Sequence, residues 1–292
     1  MGELVALMCA LSWSIALILL KDSQRLLSPI ALNWLKNVLG TFLMIPTVCF
    51  WYKLEFPHIS CANMGILVLS GAVGIGVADG LVLMALKSLS ASHIAILECL
   101  FTPFVMALSY FYLGEILTAL QLTGGVCILL AIYIINKGGP REASFGRQML
   151  RPTLLMVSGL LFMALGIVIT KPVFLDVPLG WVLLIRMATG AVASSVLLLP
   201  AKEKVADIWQ RVRHARGKSR LFWACVMSSY VSIILWMAGY KYNQATIAAV
   251  LNQTSTIFTV LLAVAFLGES LNKSKVMAAF LATLGVIIMT LA

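Results

Sequence analysis

The sequence predicts an all-α membrane protein in which ten transmembrane helices form two inverted five-helix repeats. Three observations lead to this fold class. Hydrophobic residues make up 61% of the 292 positions and charged residues only 11%, whereas a soluble domain carries about 25% charged residues. Apolar segments recur along the whole chain, which has a mean hydropathy of +1.02. Finally, the second half of the sequence aligns with the first.

Each apolar segment is close to the roughly 20 residues that a helix needs to cross the hydrocarbon core of a bilayer. The predicted spans are residues 3–20, 29–51, 62–85, 91–112, 117–136, 153–172, 178–199, 221–239, 244–267 and 274–292. They leave no room for a soluble catalytic domain. The first segment lacks a basic region before it and a small-residue cleavage site after it, so we expect a retained helix.

The net charge of +10 is concentrated in alternate connections. The odd-numbered loops hold sixteen basic residues: Lys21, Arg25, Lys87, Lys137, Arg141, Arg147, Arg151, Lys202, Lys204, Arg211, Arg213, Arg216, Lys218, Arg220, Lys273 and Lys275. The even-numbered loops hold only Lys53, Lys171 and Lys241. The positive-inside rule therefore predicts that the odd loops are cytoplasmic and that both termini face outward. Membrane topology explains the charge, so no nucleic-acid partner is expected.

The connection between spans 7 and 8 contains an apolar pattern. Val205, Ile208, Trp209 and Val212 follow helical spacing and are surrounded by basic residues. This pattern suits a short helix lying on an anionic leaflet. A solvated basic loop is the alternative interpretation.

The two halves of the chain align at nearly constant offsets. An offset of 154 aligns LKSLSASHIAIL with YKYNQATIAAVL and matches the two Leu-Gly-Glu triplets at 113–115 and 267–269. Earlier in each half the offset is 150, which pairs Lys36 with Arg186. Five crossings per half would invert the second half relative to the first, an arrangement typical of secondary transporters. The expected units are a first repeat at 1–137, a linker at 138–151 and a second repeat at 152–292.

The run MALKSLSASHIAILECLFTPFVMALSYFYLGEILTALQLTGGVCILLAIYII contains an Ala-Leu-Lys turn, Pro103 within a helix, a Leu-Gly-Glu turn and a Gly-rich last helix. It resembles the end of an EamA-type repeat of the drug/metabolite transporter superfamily, and both halves share the resemblance. The resemblance implies alternating access and a central cavity lined by the first four helices of each half, with helices 5 and 10 peripheral. The chain departs from the family pattern at Thr102, at Ile257, which replaces the second-half proline, and in its predicted orientation.

Four charged residues lie deep in predicted spans: Lys36, Asp79, Glu98 and Arg186. Each costs about 2.5 to 3.5 kcal/mol at the centre of a membrane helix, so none should face lipid. Lys36 belongs to a polar stripe on span 2 with Asn33, Asn37 and Gly40, at helical spacing. Similar stripes on spans 4, 8 and 9 predict that these helices also face protein or water.

These stripes supply the candidate site residues. The candidates for substrate binding are Trp13, Asn33, Lys36, Asn37, Arg186, Tyr230, Trp236, Asn252 and Thr256. Glu98 is the first candidate for carrying a proton and Asp79 the second, because a desolvated carboxylate near a cation suits that task. The alternative is that the four charges form static pairs that only determine helix register.

The stretch GAVGIGVADG at residues 71–80 does not complete a dinucleotide-binding fingerprint. We interpret Gly76 and Gly80 as a small-residue face that lets a neighbouring helix approach. Gly71 and Gly74 would keep the helix narrow beside the cavity. Asp79 would then project from the same helix, towards Lys36, Arg186 or a substrate.

The sequence predicts a secondary transporter for a small organic, amino-acid-like or otherwise polar solute, driven by protons or by exchange. A flippase for lipids or lipid-linked carriers is the alternative, and an intramembrane enzyme is disfavoured because no hydrolase or metalloprotease motif is present. No cofactor or metal site is expected. The expected partners are the solute, protons and the bilayer, for a monomer or homodimer in a bacterial cytoplasmic (inner) membrane.

Overall fold

The computed structural model describes residues 2–52, 55–113, 118–137, 145–242, 245–270 and 272–290, and all regular elements within them are helical. The α-helices are α1 (Gly2–Ser23), α2 (Pro29–Tyr52), α3 (Cys61–Gly71), α4 (Ala78–Ser88), α5 (Ala91–Glu98), α6 (Phe101–Leu113), α7 (Ala119–Lys137), α8 (Phe145–Thr170), α9 (Val173–Asp176), α10 (Leu179–Leu198), α11 (Val205–His214), α12 (Lys218–Val226), α13 (Ser232–Tyr242), α14 (Ala245–Leu267) and α15 (Lys273–Thr290).

Six helical segments of the described chain are long and apolar enough to cross a membrane. They are Pro29–Tyr52, Cys61–Ser88, Ala91–Tyr112, Met149–Thr170, Leu179–Leu198 and Lys218–Ala238. The other four expected spans coincide with α1, α7, α14 and α15. The amphipathic pattern after span 7 forms α11, whose Ile208 is buried in the core while Trp209 is exposed.

Two of the long segments contain a π-helical turn, at Ala72–Val77 between α3 and α4 and at Met227–Val231 between α12 and α13. The two turns occupy matching positions at the 154-residue offset. A π turn inserts an extra residue into a helix and is frequent at functional sites. In the first turn the carbonyl of Gly76 accepts a hydrogen bond of 2.7 Å from Asn33 Nδ2, which ties this turn to α2.

Predicted span 4 is interrupted between α5 and α6, at Cys99 and Leu100. Pro103 explains the break, because a proline lacks the backbone N–H and its ring clashes with the carbonyl four residues earlier. The second repeat carries Ile257 at the matching position, and α14 continues without interruption. The proline therefore ends α5 directly after Glu98.

Helices of the two halves interleave. The first helix of the first half, α1, packs against α13 and α14, and its repeat counterpart α8 packs against α4 and α6. The helices α2 and α10, which are counterparts of each other, also pack together, as do α7 and α15. Such a reciprocal pattern is expected for repeats related by a pseudo-two-fold axis.

The glycines of the first π turn and α4 allow close helix contacts, but not through one common face. A Cβ on Gly76 would lie 3.1 Å from the carbonyl oxygen of Gly190 on α10, whereas a Cβ on Gly80 would lie 3.3 Å from Asn33 Nδ2 on α2. The prediction of a shared face was wrong because the π turn changes the register. Residues four apart no longer lie above one another there.

Gly71 provides a test of these contacts. Its Cβ would lie only 2.7 Å from Arg186 Cα, so Gly71→Ala should separate α3 from α10 and lower the free energy of unfolding by about 1 to 3 kcal/mol. Gly65 on the same helix has nothing within 4 Å of its Cβ. Gly65→Ala is the matched control and should be neutral or stabilising by up to about 1 kcal/mol. Chemical unfolding in detergent micelles measures both; equal effects would contradict the close contact.

Candidate functional site

A cavity of about 200 Å³ lies between the two halves of the chain. It is lined by α1, α2, α4, α5, α10, α13 and α14, among others. Seven of the predicted site residues line it: Trp13, Lys36, Asp79, Glu98, Arg186, Trp236 and Asn252. No described residue of α7 or α15 does so. The polar stripes predicted on different helices therefore converge on one space, which we call the central cavity.

Lys36 and Asp79 form an ion pair that joins α2 to α4, with Lys36 Nζ donating to Asp79 Oδ2. Lys36 Nζ also donates to Asn37 Oδ1 at 3.1 Å, and Asn37 Nδ2 donates to Asn33 Oδ1 at 3.2 Å. Lys36 is only 6% exposed, so this network replaces the water that the ammonium loses on burial. Asn33 and Asn37 extend the hydrogen-bond network of the pair, but they do not line the cavity.

Glu98 has a different environment. Trp13 Nε1 donates to both of its carboxylate oxygens, at 3.1 and 3.2 Å. Among the described residues, no lysine or arginine forms an ion pair with Glu98. Of the two predicted proton carriers, Asp79 is thus paired with a cation and Glu98 is not.

Arg186 and Asn252 of the cavity wall have buried polar atoms without a partner among the described residues. The side chain of Arg186 is 6% exposed, and its Nε is buried without a hydrogen bond within the described chain. Both amide atoms of Asn252 are also buried without a hydrogen bond within the described chain. Buried polar groups are normally hydrogen-bonded, so these atoms are suited to contact a ligand or water in the cavity.

Two predicted site residues lie elsewhere. Tyr230 Oη is 2.5 Å from Thr47 Oγ1 and does not line the central cavity. Thr256 is fully buried between α14 and α5, where its Oγ1 donates to Ala95 O at 3.3 Å. Both residues form contacts between helices. A polar stripe at helical spacing in the sequence does not show whether its residues contact another helix or the cavity.

Sequence reasoning missed several lining residues, but the internal repeat contains a signal for them. Leu160 and Met163 of α8 line the cavity and match Ala10 and Trp13 at the 150-residue offset. At the 154-residue offset Ser255 matches Phe101, and both also line it. Apolar lining residues carry no polarity pattern, so only their repeat counterparts could have indicated them.

A second cavity of about 350 Å³ adjoins the first. Phe101, Trp236 and Met237 line both cavities. The second cavity continues past Ser109 to Lys171 and the α9 region. At that end of the bundle Trp181 Nε1 donates to Glu55 O at 3.1 Å, so the connection following α2 contacts the first turn of α10 there.

The opposite end of the bundle is held together by Glu269, which follows α14. Its carboxylate accepts hydrogen bonds of 2.6 Å from Ala91 N and Ser92 Oγ at the start of α5, and it pairs with Lys275 Nζ at 3.0 Å. Burial alone would raise the pKa of Glu269, but the contacts with Ser92, Lys275 and Ala91 lower it below its ordinary value. The contacts therefore stabilise this end at neutral pH and are lost as the pH falls through that lowered pKa.

This Glu269 contact links the Leu-Gly-Glu turn of the second half to the start of α5 in the first half. The other glutamate, Glu115, lies outside the described residues.

Comparison with known proteins identifies the family. The family model described as "EamA-like transporter family" matches residues 1–137 and again residues 150–291. The chain belongs to the EamA-like transporter family. It is therefore a multi-pass membrane protein of the drug/metabolite transporter superfamily.

The fold of this EamA-like protein is similar to that of a solved crystal structure, with a TM-score of 0.68 and 17% sequence identity. The similarity covers 99% of this chain and 96% of the other. At this identity the likeness concerns the fold alone. No curated protein matches the chain in sequence.

The ion pair of this EamA-like chain can be tested by a double-mutant cycle. Asp79→Asn leaves Lys36 buried without its anion and should lower the free energy of unfolding by about 3 to 5 kcal/mol. Adding Lys36→Met removes the unpaired charge, so the double variant should be more stable than Asp79→Asn alone. Chemical unfolding in mixed micelles is measured for four chains: the unsubstituted protein, Asp79→Asn, Lys36→Met and the double variant. Additive effects of the two substitutions would mean that the pair does not stabilise the helix contact.

Proposed function

We propose that this protein is a secondary transporter that moves a small polar organic solute through the central cavity by alternating access. In this proposal ten helices cross the membrane as two inverted repeats, spanning 1–137 and 152–292, with 138–151 as the linker. The two repeats rock about the cavity and expose it to each side in turn. The odd-numbered loops are cytoplasmic, following the distribution of basic residues.

One observation carries the proposal: the central cavity is lined by residues of both halves that correspond in the internal repeat. Lys36 corresponds to Arg186, Glu98 to Asn252, and all four line it. A site shared by two repeats changes its access when one repeat moves against the other. Arg186 Nε and the Asn252 amide have no hydrogen-bond partner within the described part of the chain, which favours a polar solute.

Glu98 is our choice for the proton-carrying group. It has no cationic partner within the described chain, whereas Asp79 is bound to Lys36. Ionisable groups within transmembrane helices commonly form proton relays. The Glu98 carboxylate accepts from the Trp13 indole N–H, so it can exchange its proton without leaving a cation of the described chain unpaired. Exchange of one solute for another through the same cavity is the alternative mode of coupling.

The dimensions of the cavity favour solute transport over lipid flipping. Its volume of about 200 Å³ suits a molecule with about the size of a single side chain and a polar head. A lipid flippase instead needs a groove that opens sideways to the acyl chains. A scrambling assay with fluorescent lipids in the same proteoliposomes should therefore show no activity.

The proposal is tested by Glu98→Gln, which keeps the Trp13 contact but removes the titratable proton. We expect solute binding to persist and proton-driven uptake into proteoliposomes to fall to background. Glu203→Gln is the matched control, because Glu203 pairs with Arg211 at the protein surface; its uptake should be unchanged. Normal uptake by Glu98→Gln across a range of pH would exclude Glu98 as the proton carrier.

A further inference from the structure

Arg186 differs from the other cation of the central cavity in its surroundings. Lys36 and Arg186 correspond in the internal repeat and both are 6% exposed. Lys36 has the carboxylate of Asp79 and the amide of Asn37 as partners. Within the described chain the Arg186 side chain has no hydrogen bond and no ion pair, and its Nε is buried.

The internal repeat explains this difference. In the first half the anion facing Lys36 is Asp79, and the matching position of the second half is Ile233, which also lines the cavity. The second half has thus kept a cation at this position and has no carboxylate opposite it. The Arg186 side chain faces a cavity instead of a counter-ion.

The net charge of the central cavity restricts the charge of a ligand that can bind in it. Asp79 also acts electrostatically on Arg186, but its Oδ2 is occupied by Lys36. Lys36, Asp79 and Arg186 together carry one net positive charge. Glu98 also lines the cavity; its carboxylate cancels this charge when ionised and leaves it in place when protonated. A buried charge without a counter-ion is costly, so a ligand with a single negative charge would neutralise the cavity when Glu98 is protonated. A dianionic phosphate ester would leave an excess negative charge.

The geometry of the guanidinium favours a carboxylate among singly charged groups. Its donors form a planar fork that matches the two oxygens of a carboxylate. Elsewhere the cavity wall is largely apolar and includes Phe101, Met163 and Trp236. Asn252 also lines the cavity, and both of its amide atoms lack a hydrogen-bond partner among the described residues.

We propose that Arg186 is the docking residue for a carboxylate group of the transported solute. The uncharged body of the solute lies against Phe101, Met163 and Trp236, and Asn252 binds a second polar group when the solute has one. This inference rests on the proposed function, because it takes the central cavity as the transport site. The ligand class is a small organic carboxylate, either a simple monocarboxylate or a zwitterion.

Ligands matched in shape provide the test. Binding of isovalerate and isovaleramide, of 3-phenylpropanoate and 3-phenylpropanamide, and of leucine and leucinamide is measured by calorimetry on the purified full chain. We expect at least one carboxylate to bind at least about tenfold more tightly than its amide, because ionised hydrogen-bond partners are stronger. Leucine as the preferred ligand would identify a zwitterion, and isovalerate or 3-phenylpropanoate a monocarboxylate.

Substitution of Arg186 tests whether the preference for carboxylates depends on this residue. Arg186→Gln should weaken carboxylate binding roughly 30-fold or more and abolish the preference over the amide. Arg186→Lys should keep part of the preference, since it retains the charge and loses the fork. Arg213→Gln is the matched control, because Arg213 is exposed on α11, and its binding should be unchanged.

Two results would overturn the inference: no carboxylate of the series binds more tightly than its amide, or Arg186→Gln keeps the preference. The first is measured on the unsubstituted chain and does not depend on the variant folding. Transport of a bound solute without any carboxylate preference would overturn the inference and leave the transporter function intact. Carboxylate binding at Arg186 without uptake into proteoliposomes would instead contradict the proposed function.

Discussion

The interior of this protein depends on the ion pair between Lys36 and Asp79. Charges cost several kcal/mol each in an apolar bundle, so the pair can exist only where other groups complete its hydrogen bonds. Asn37 donates onward to Asn33, which in turn binds the carbonyl of Gly76 in the π turn. The same chain of contacts joins α2 to α4 and determines which way Asp79 points. Arg186 is left as the cation that the pair does not neutralise.

Local backbone irregularities bring the other groups to this pair. The two π turns, at Ala72–Val77 and Met227–Val231, lie at matching positions of the repeats and each contributes residues to the central cavity. Pro103 ends α5 immediately after Glu98. In the first π turn a neighbouring helix satisfies a backbone group, because Asn33 of α2 donates to the carbonyl of Gly76. The irregular turns are therefore concentrated beside the site.

Much of the fold and part of the site follow from the sequence. Lys36, Arg186 and Glu98 could be predicted as inward-facing because such charges cannot face lipid. The partner of Asp79 could be narrowed to Lys36, Arg186 or a substrate. The contacts of Tyr230 and Thr256 could not be predicted, since helical spacing indicates a face but not the neighbour on that face. The register change between Gly76 and Gly80 could not be predicted from the sequence either, because a π turn has no reliable sequence pattern. Conversely, the apolar wall at Met163 was predictable only through its repeat counterpart.

Alternating access requires the end of the bundle held by Glu269 to open. The most direct measurement is the distance between spin labels at Lys87 and Lys273, both exposed at that end, by pulsed electron resonance in nanodiscs. We expect two distance populations, with the longer one enriched by Glu269→Ala because the contact with Ser92 is lost. A single distance that neither this substitution nor acid pH changes would contradict alternating access.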